Sequence, residues 1–191
     1  PYTMLIKSVD GGINWREVYT TEYTITKIWF TSENTGFALV GSYLQKTTDG
    51  GVTWSALTLI HSDYGFIDIQ FISPEIGFMC GGWGAFAKTI DGGNTWTVSV
   101  VNPSLAGYSV HFISPLTGFI GGIVDSIYKT TNGGLTWQSV VLGGGTAVED
   151  IEFSGNTGYA AGWFGSIYRT TNTGETWVRE DVPASEGEYI Y

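Results

Sequence analysis

Four carboxylates, Asp68, Glu149, Asp150 and Glu152, sit in short apolar stretches and are the groups of this sequence best placed to do chemistry. Two carboxyl groups about 5 to 9.5 Å apart across a cleft would make a glycoside hydrolase, one serving as acid and one as base or nucleophile. Carboxylate oxygens of this kind also suit a hard cation. The plainer reading is that they are solvated groups lining a central channel. His111 and His61 are not spaced as a metal pair and no cysteine supports them, so no metal site is expected. Cys80 is the single cysteine, lies in the apolar stretch 77–82, and reads as packing. No glycine-rich phosphate loop stands between a strand and a helix. From the residues alone, neither a catalytic group nor a cofactor is expected.

A second set of acids recurs. Residues 46–54, KTTDGGVTW, have counterparts at 7–15, 88–96, 129–137 and 169–177. Their aspartates or substitutes are Asp10, Asp49, Asp91, Asn132 and Asn172, and their tryptophans Trp15, Trp54, Trp96, Trp137 and Trp177 are spaced by 39, 42, 41 and 40 residues. Phe30, Phe71, Phe112 and Phe153 keep the same beat at intervals of 41. Repetition near this period marks one supersecondary unit stacked on itself. Residues 66–101 show the unit best. Stretch 66–73 alternates, with Ile67, Ile69 and Phe71 expected on one face and Asp68, Gln70 and Ile72 on the other. Turns at 74–77, 83–84 and 91–93 then separate three more strands. Four antiparallel strands per period make a propeller blade.

The expected fold is therefore all-β, a single propeller domain over 1–191 with almost no helix. Blades are expected at 25–60, 66–101, 108–142 and 147–183, with 3–20 supplying only the last two strands of a first blade. Residues 188–191 are expected to add a strand beside that half blade. The ring then has about five blades; the alternative is a piece of a larger propeller.

Locally, the Asp49 carboxylate is placed to accept backbone N–H groups of its own turn. Gly50 and Gly51 allow positive φ, Thr47 bonds inside the loop, and Trp54 covers it. Asn132 and Asn172 keep the acceptor oxygen without the charge, so the recurring residue is structural. Thr173 and Asn14 depart further, and the end copies are expected to be looser. The cation before each box (Lys7, Lys46, Lys88, Lys129, Arg169) reads as a strand-edge group with its stem over Trp.

Thr47 to Trp54, written Ser/Thr-x-Asp-x-Gly-x-Thr-Trp, resembles the Asp box of bacterial neuraminidase repeats. The longer pattern, from the Phe strand through Gly-Phe/Tyr to the box, is similar to the repeat of the photosystem II assembly and stability factor family over essentially the whole chain. The resemblance implies a role in helping proteins assemble. Sialidases share the box, but their chemistry needs three converging arginines; Arg16, Arg169 and Arg179 map to the rim, so that activity is not expected.

Eight basic and eighteen acidic residues give a net charge of −10, which disfavours nucleic acid and anionic membranes. Apolar runs break well before 18 positions, so no transmembrane helix is expected. A chain opening on Pro1 reads as a mature product or a fragment, and the Thr-, Asn-, Gly- and Trp-rich composition suggests an exported, extracytoplasmic protein.

Box turns join third strands to fourth, so the opposite face collects the second-to-third turns and the connectors. Tyr43, Trp83, Val124, Asp125, Trp163 and Phe164 fall there, with Tyr64 and Tyr108, and Trp83 and Trp163 read as equivalent turn tips. Aromatics at loop tips suit a protein partner or, by stacking, a glycan. The expected function is non-enzymatic binding or scaffolding of a protein partner; carbohydrate binding and a glycoside hydrolase fragment are the alternatives.

Overall fold

The computed structural model describes residues 2–123 and 125–180. Those residues form eighteen strands in five antiparallel sheets. Sheet one has two strands, β1 (Thr3–Lys7) and β2 (Arg16–Thr21). Sheet two holds β3 (Lys27–Phe30), β4 (Gly36–Val40), β5 (Tyr43–Thr47) and β6 (Thr58–Leu59). Sheet three holds β7 (Phe66–Phe71), β8 (Gly77–Gly81), β9 (Ala85–Thr89) and β10 (Thr97–Val100). Sheet four holds β11 (Gly107–Phe112), β12 (Gly118–Gly122), β13 (Ser126–Thr130) and β14 (Gln138–Val141). Sheet five holds β15 (Val148–Ser154), β16 (Thr157–Gly162), β17 (Ser166–Thr170) and β18 (Val178–Glu180). Each four-stranded sheet is a meander in chain order. Among the described residues helix is confined to single turns at Gly82–Gly84 and Trp163–Gly165, and none is long and apolar enough to cross a membrane. The strand expected at 188–191 lies outside the described residues, as do Val124 and 181–183.

Burial follows the blade. The second strands β4, β8 and β12 are buried at every position, which is why they read Gly-Phe followed by small or aliphatic residues. The outer strands are mostly exposed and carry Thr, Ser, Gln and charged groups. Alternation in β7 is not the simple one expected. A bulge between Phe66 and Asp68 shifts the register, so Phe66 joins Ile69 and Phe71 in the core while Ile67 does not. The same bulge recurs at the start of β11 and β15.

Blades are glued by phenylalanines. Phe37 of β4 stacks on Phe71 of the next blade (ring centroids 4.5 Å apart, 12° between planes). Phe78 stacks on Phe112 at 3.5 Å and Phe119 on Phe153 at 4.5 Å. Within each complete blade the box tryptophan meets the first-strand phenylalanine edge-on: Phe30 with Trp54, Phe71 with Trp96, Phe112 with Trp137 and Phe153 with Trp177. Pairs of this kind add about 0.5–1.5 kcal/mol each beyond their area burial.

Candidate functional site

The recurring acids hold their own loops. Asp49 Oδ1 accepts the backbone N–H of Val52 (3.0 Å) and Thr53 (2.9 Å) and the Thr47 hydroxyl (2.8 Å), while Oδ2 accepts the Thr53 hydroxyl at 2.6 Å. Asp91 repeats the set with Thr89, Asn94 and Thr95. In the amide copies the direction of one bond reverses: Asn132 Nδ2 donates to Thr136 Oγ1 (2.7 Å) and Asn172 Nδ2 to Thr176 Oγ1 (2.9 Å). The threonine hydroxyl donates or accepts as required, so acid and amide are interchangeable. The first-box acid Asp10 is bonded by Ser8 and by both the backbone and side-chain nitrogens of Asn14. Thr173 adopts φ 57 in the last box, whose Thr170, Asn172 and Gly174 bonds are intact. The end boxes are therefore not looser, because a hydroxyl and a side-chain acceptor close the loop in both, Ser8 with Asp10 and Thr170 with Asn172. Hydrogen bonds to the ionised form, from Thr53 and Thr95 above all, hold Asp49 and Asp91 at about 2, and those from Asn14 do the same for Asp10.

The lysines before the boxes do not end at the strand edge but reach the next blade. Lys7 Nζ donates to the Gly50 carbonyl (2.5 Å), Lys46 to Gly92 (2.8 Å), Lys88 to Gly133 (3.3 Å) and Lys129 to Thr173 (2.6 Å). Each acceptor is the same position of the next blade's box. On the way, Lys46, Lys88 and Lys129 pass over the rings of Phe37, Phe78 and Phe119 at 5.4–5.8 Å. Lys129 also pairs with Glu175 at 2.6 Å. The reason is geometric. The box loop offers a carbonyl toward the preceding blade, within reach of that blade's lysine.

The candidate carboxylates are engaged one by one. Asp68 pairs with Lys27 at 3.0 Å and accepts the Val110 N–H of the next blade at 2.9 Å. Burial works against the Lys27 charge, but the Asp68 carboxylate outweighs it and raises the lysine's pKa. Asp150 accepts the Ser109 hydroxyl, Glu152 faces His111 Nδ1 at 3.5 Å, and Glu149 accepts the indole N–H of Trp163. Burial lowers the His111 pKa, opposed mainly by Glu152. Cys80 is buried and its thiol is pushed well up by desolvation. Among the described residues no group of three or more His, Cys, Asp or Glu is arranged to hold a metal.

On the opposite face the aromatics stand out. Trp83 is 70% exposed and Phe164 91%, with Trp163 and Tyr43 also exposed. Trp83 (φ 56) and Phe164 (φ 59) both occupy the left-handed region, each followed by a glycine, Gly84 and Gly165, that does the same. Backbone position therefore equates Trp83 with Phe164, one residue beyond Trp163. Asp125 (φ 47) is the counterpart of those glycines in the intervening blade, and its carboxylate accepts the N–H of Gly144 at 3.2 Å. Trp83 lies beside Asp63, Tyr64 and Pro103 of the connectors, Tyr64 stacks on His61 at 4.5 Å, and Tyr108 tilts toward Trp163 at 6.4 Å. The sequence signal that finds the strained pair is the aromatic-glycine dipeptide at the hairpin tip, Trp83-Gly84 and Phe164-Gly165.

Four-stranded blades joined through Asp-box loops define the molecule as an all-β Asp-box propeller. Residues 9–107 match the family described as photosynthesis system II assembly factor YCF48, and the chain belongs to that family. No curated protein sequence matches it. Among solved structures, an ancestral GH74 enzyme superposes with a TM-score of 0.75 at 20% identity, covering 92% of this chain and 28% of that one. YCF48 from Cyanidioschyzon merolae gives 0.71 at 17% identity, covering 93% and 66%. YCF48 bound to a D1 peptide gives 0.56 at 18%, covering 94% and 85%. At these identities the likeness establishes the fold, and the chain spans only 28% and 66% of the first two structures.

Proposed function

We propose that this chain is a non-enzymatic propeller that binds a protein partner through the face carrying Tyr43, Trp83, Asp125, Trp163 and Phe164. The observation that carries it is the strained display of Trp83 and Phe164. A bulky residue in the left-handed region costs on the order of 1–2 kcal/mol, and exposing its ring adds nothing to the fold. A contact made by those rings accounts for both costs. Family membership supports the same reading, since a solved YCF48 is complexed with a D1 peptide. The partner is an extended or loop segment of a protein undergoing assembly, and an acidic surface favours basic or neutral sequences. The Thr-, Asn-, Gly- and Trp-rich composition supports an exported protein that works outside the cytoplasm.

The test is capture of peptides from an array of protein segments, repeated with Trp83→Ala and Phe164→Ala. Binding that falls about tenfold in each variant while the melting temperature holds supports the reading; binding indifferent to both overturns it. Carbohydrate recognition is the second reading, favoured by the exposed indoles alone, and a glycan array run with the same variants separates the two.

A further inference from the structure

The hairpin tip of sheet three meets the two connectors that lead into and out of that blade. A pocket of about 380 Å³ opens between them, lined by Asp63, Tyr64, Trp83, Val100 and Pro103. Backbone bonds fix its walls. Gly82 N–H donates to the Gly65 carbonyl (2.9 Å) and Val101 N–H to the Gly84 carbonyl (2.8 Å), while a side chain at Gly84 would strike the Asn102 carbonyl. Trp83 is therefore held from both sides in its left-handed conformation. Tyr64 is half-buried, packs against the core cluster that holds Phe66 and Ile69, and stacks on His61.

The following blades do not repeat this pocket's chemistry. The bond from Gly82 to Gly65 has counterparts in Ile123 to Ala106 and in Trp163 to Ala147. Asp63 and Tyr64 therefore correspond to Ser104 and Leu105 in sheet four and to Gly145 and Thr146 in sheet five, where Leu105 and Thr146 are buried. A ring and a carboxylate at these positions are not needed to build a blade. The charge is also unanswered. All eight lysines and arginines lie among the described residues, and none pairs with Asp63, whose exposed carboxylate accepts the neighbouring Ser62 hydroxyl. Residues 181–191 contain neither lysine nor arginine.

We propose that this pocket receives an arginine side chain of the partner segment, its guanidinium lying over the Trp83 indole and pairing with the Asp63 carboxylate. The proposal rests on the reading of Trp83 as a contact residue and names what that contact takes. A guanidinium is planar and weakly hydrated, so it stacks on an aromatic face while its N–H groups still donate to a carboxylate. An ammonium is strongly hydrated and gives up more at so open a site. A net charge of −10 draws a cation toward the face from any approach. Walls fixed before binding leave little ordering to offset the contact.

The probes are the amides of Nα-acetyl-arginine, Nα-acetyl-lysine and the neutral isostere Nα-acetyl-citrulline, titrated into the 191-residue protein. The readout is the indole N–H resonance of Trp83, assigned by its loss in Trp83→Phe. The arginine amide is expected to move it saturably, and at the same concentration the citrulline amide to move it less than about a tenth as far and the lysine amide less than about a third. Asp63→Asn, an exposed change that leaves the melting temperature in place, weakens arginine binding about fivefold. A citrulline shift equal to that of arginine overturns the proposal, as does an equal lysine shift or an arginine shift indifferent to Asp63→Asn. Dimers in sedimentation that Asp63→Asn abolishes overturn it too, because the arginine is then a second copy's. Peptide capture that needs Trp83 while the arginine amide leaves the indole unmoved sinks this proposal and keeps the protein-binding reading. Arginine binding without any captured peptide does the reverse.

Discussion

Lys46 Nζ donates a 2.8 Å hydrogen bond to the carbonyl of Gly92, a residue 46 positions on and one blade away. That contact, repeated by Lys7, Lys88 and Lys129, ties each box to the strand before it and turns a local loop into a joint between sheets.

The joint at Lys129 is the most buried of these and is charge-assisted through Glu175. Lys129→Ala strands the Thr173 carbonyl and is expected to cost about 2 kcal/mol in urea unfolding. Arg169 fills the same position in the last described blade, with Glu180 at 4.0 Å and both side chains half exposed. Arg169→Ala is expected to cost less than about 0.5 kcal/mol.

Acid sensitivity follows from the boxes. A carboxyl whose pKa is depressed by folding contributes stability above its unfolded value, near 3.8, and loses it as pH falls through about 2. Stability measured between pH 5 and 2 should fall across that window. A triple variant, Asp10→Asn, Asp49→Asn and Asp91→Asn, should match the parent at pH 7 and show a flattened acid limb, because Asn132 and Asn172 already hold their loops without charge.

Phe78 lies 3.5 Å from Phe112 in a nearly parallel stack and is fully buried. Phe78→Ala is expected to cost about 4 kcal/mol, read as a large drop in melting temperature. Phe30→Ala removes an exposed ring and should cost well under half of that.

Trp83→Gly removes an exposed indole from a φ of 56 that glycine adopts freely. Thermal unfolding should show stability unchanged or raised by up to about 1 kcal/mol, while partner capture is lost. A stabilised variant that no longer binds is the signature of a strained contact residue.

The blade was legible because Trp and Phe recur at near-fixed intervals, and a period of 41 with three turn signals admits little besides a four-stranded unit. Sequence missed what lies between blades. The Phe37–Phe71 stack and the Lys46–Gly92 bond join residues 34 and 46 positions apart, and no local pattern names such partners. Aligning Trp83 with Trp163 misplaced the tip by one residue, because the left-handed glycines Gly84 and Gly165, not the indoles, fix the hairpin. The bulge at Phe66 and Asp68 was hidden because Ile67, Ile69 and Phe71 alternate without a break in the sequence, whereas the core row is Phe66, Ile69 and Phe71.

Every lysine bond runs the same way, from an earlier blade to the loop of the one after it. The array thus has a polarity. During synthesis each finished blade holds out an ammonium group for a box still to emerge from the ribosome, so the sheets lock in the order in which they are made. The spans 7–50, 46–92, 88–133 and 129–173 overlap end to end, so no connector between the described blades escapes this lacing.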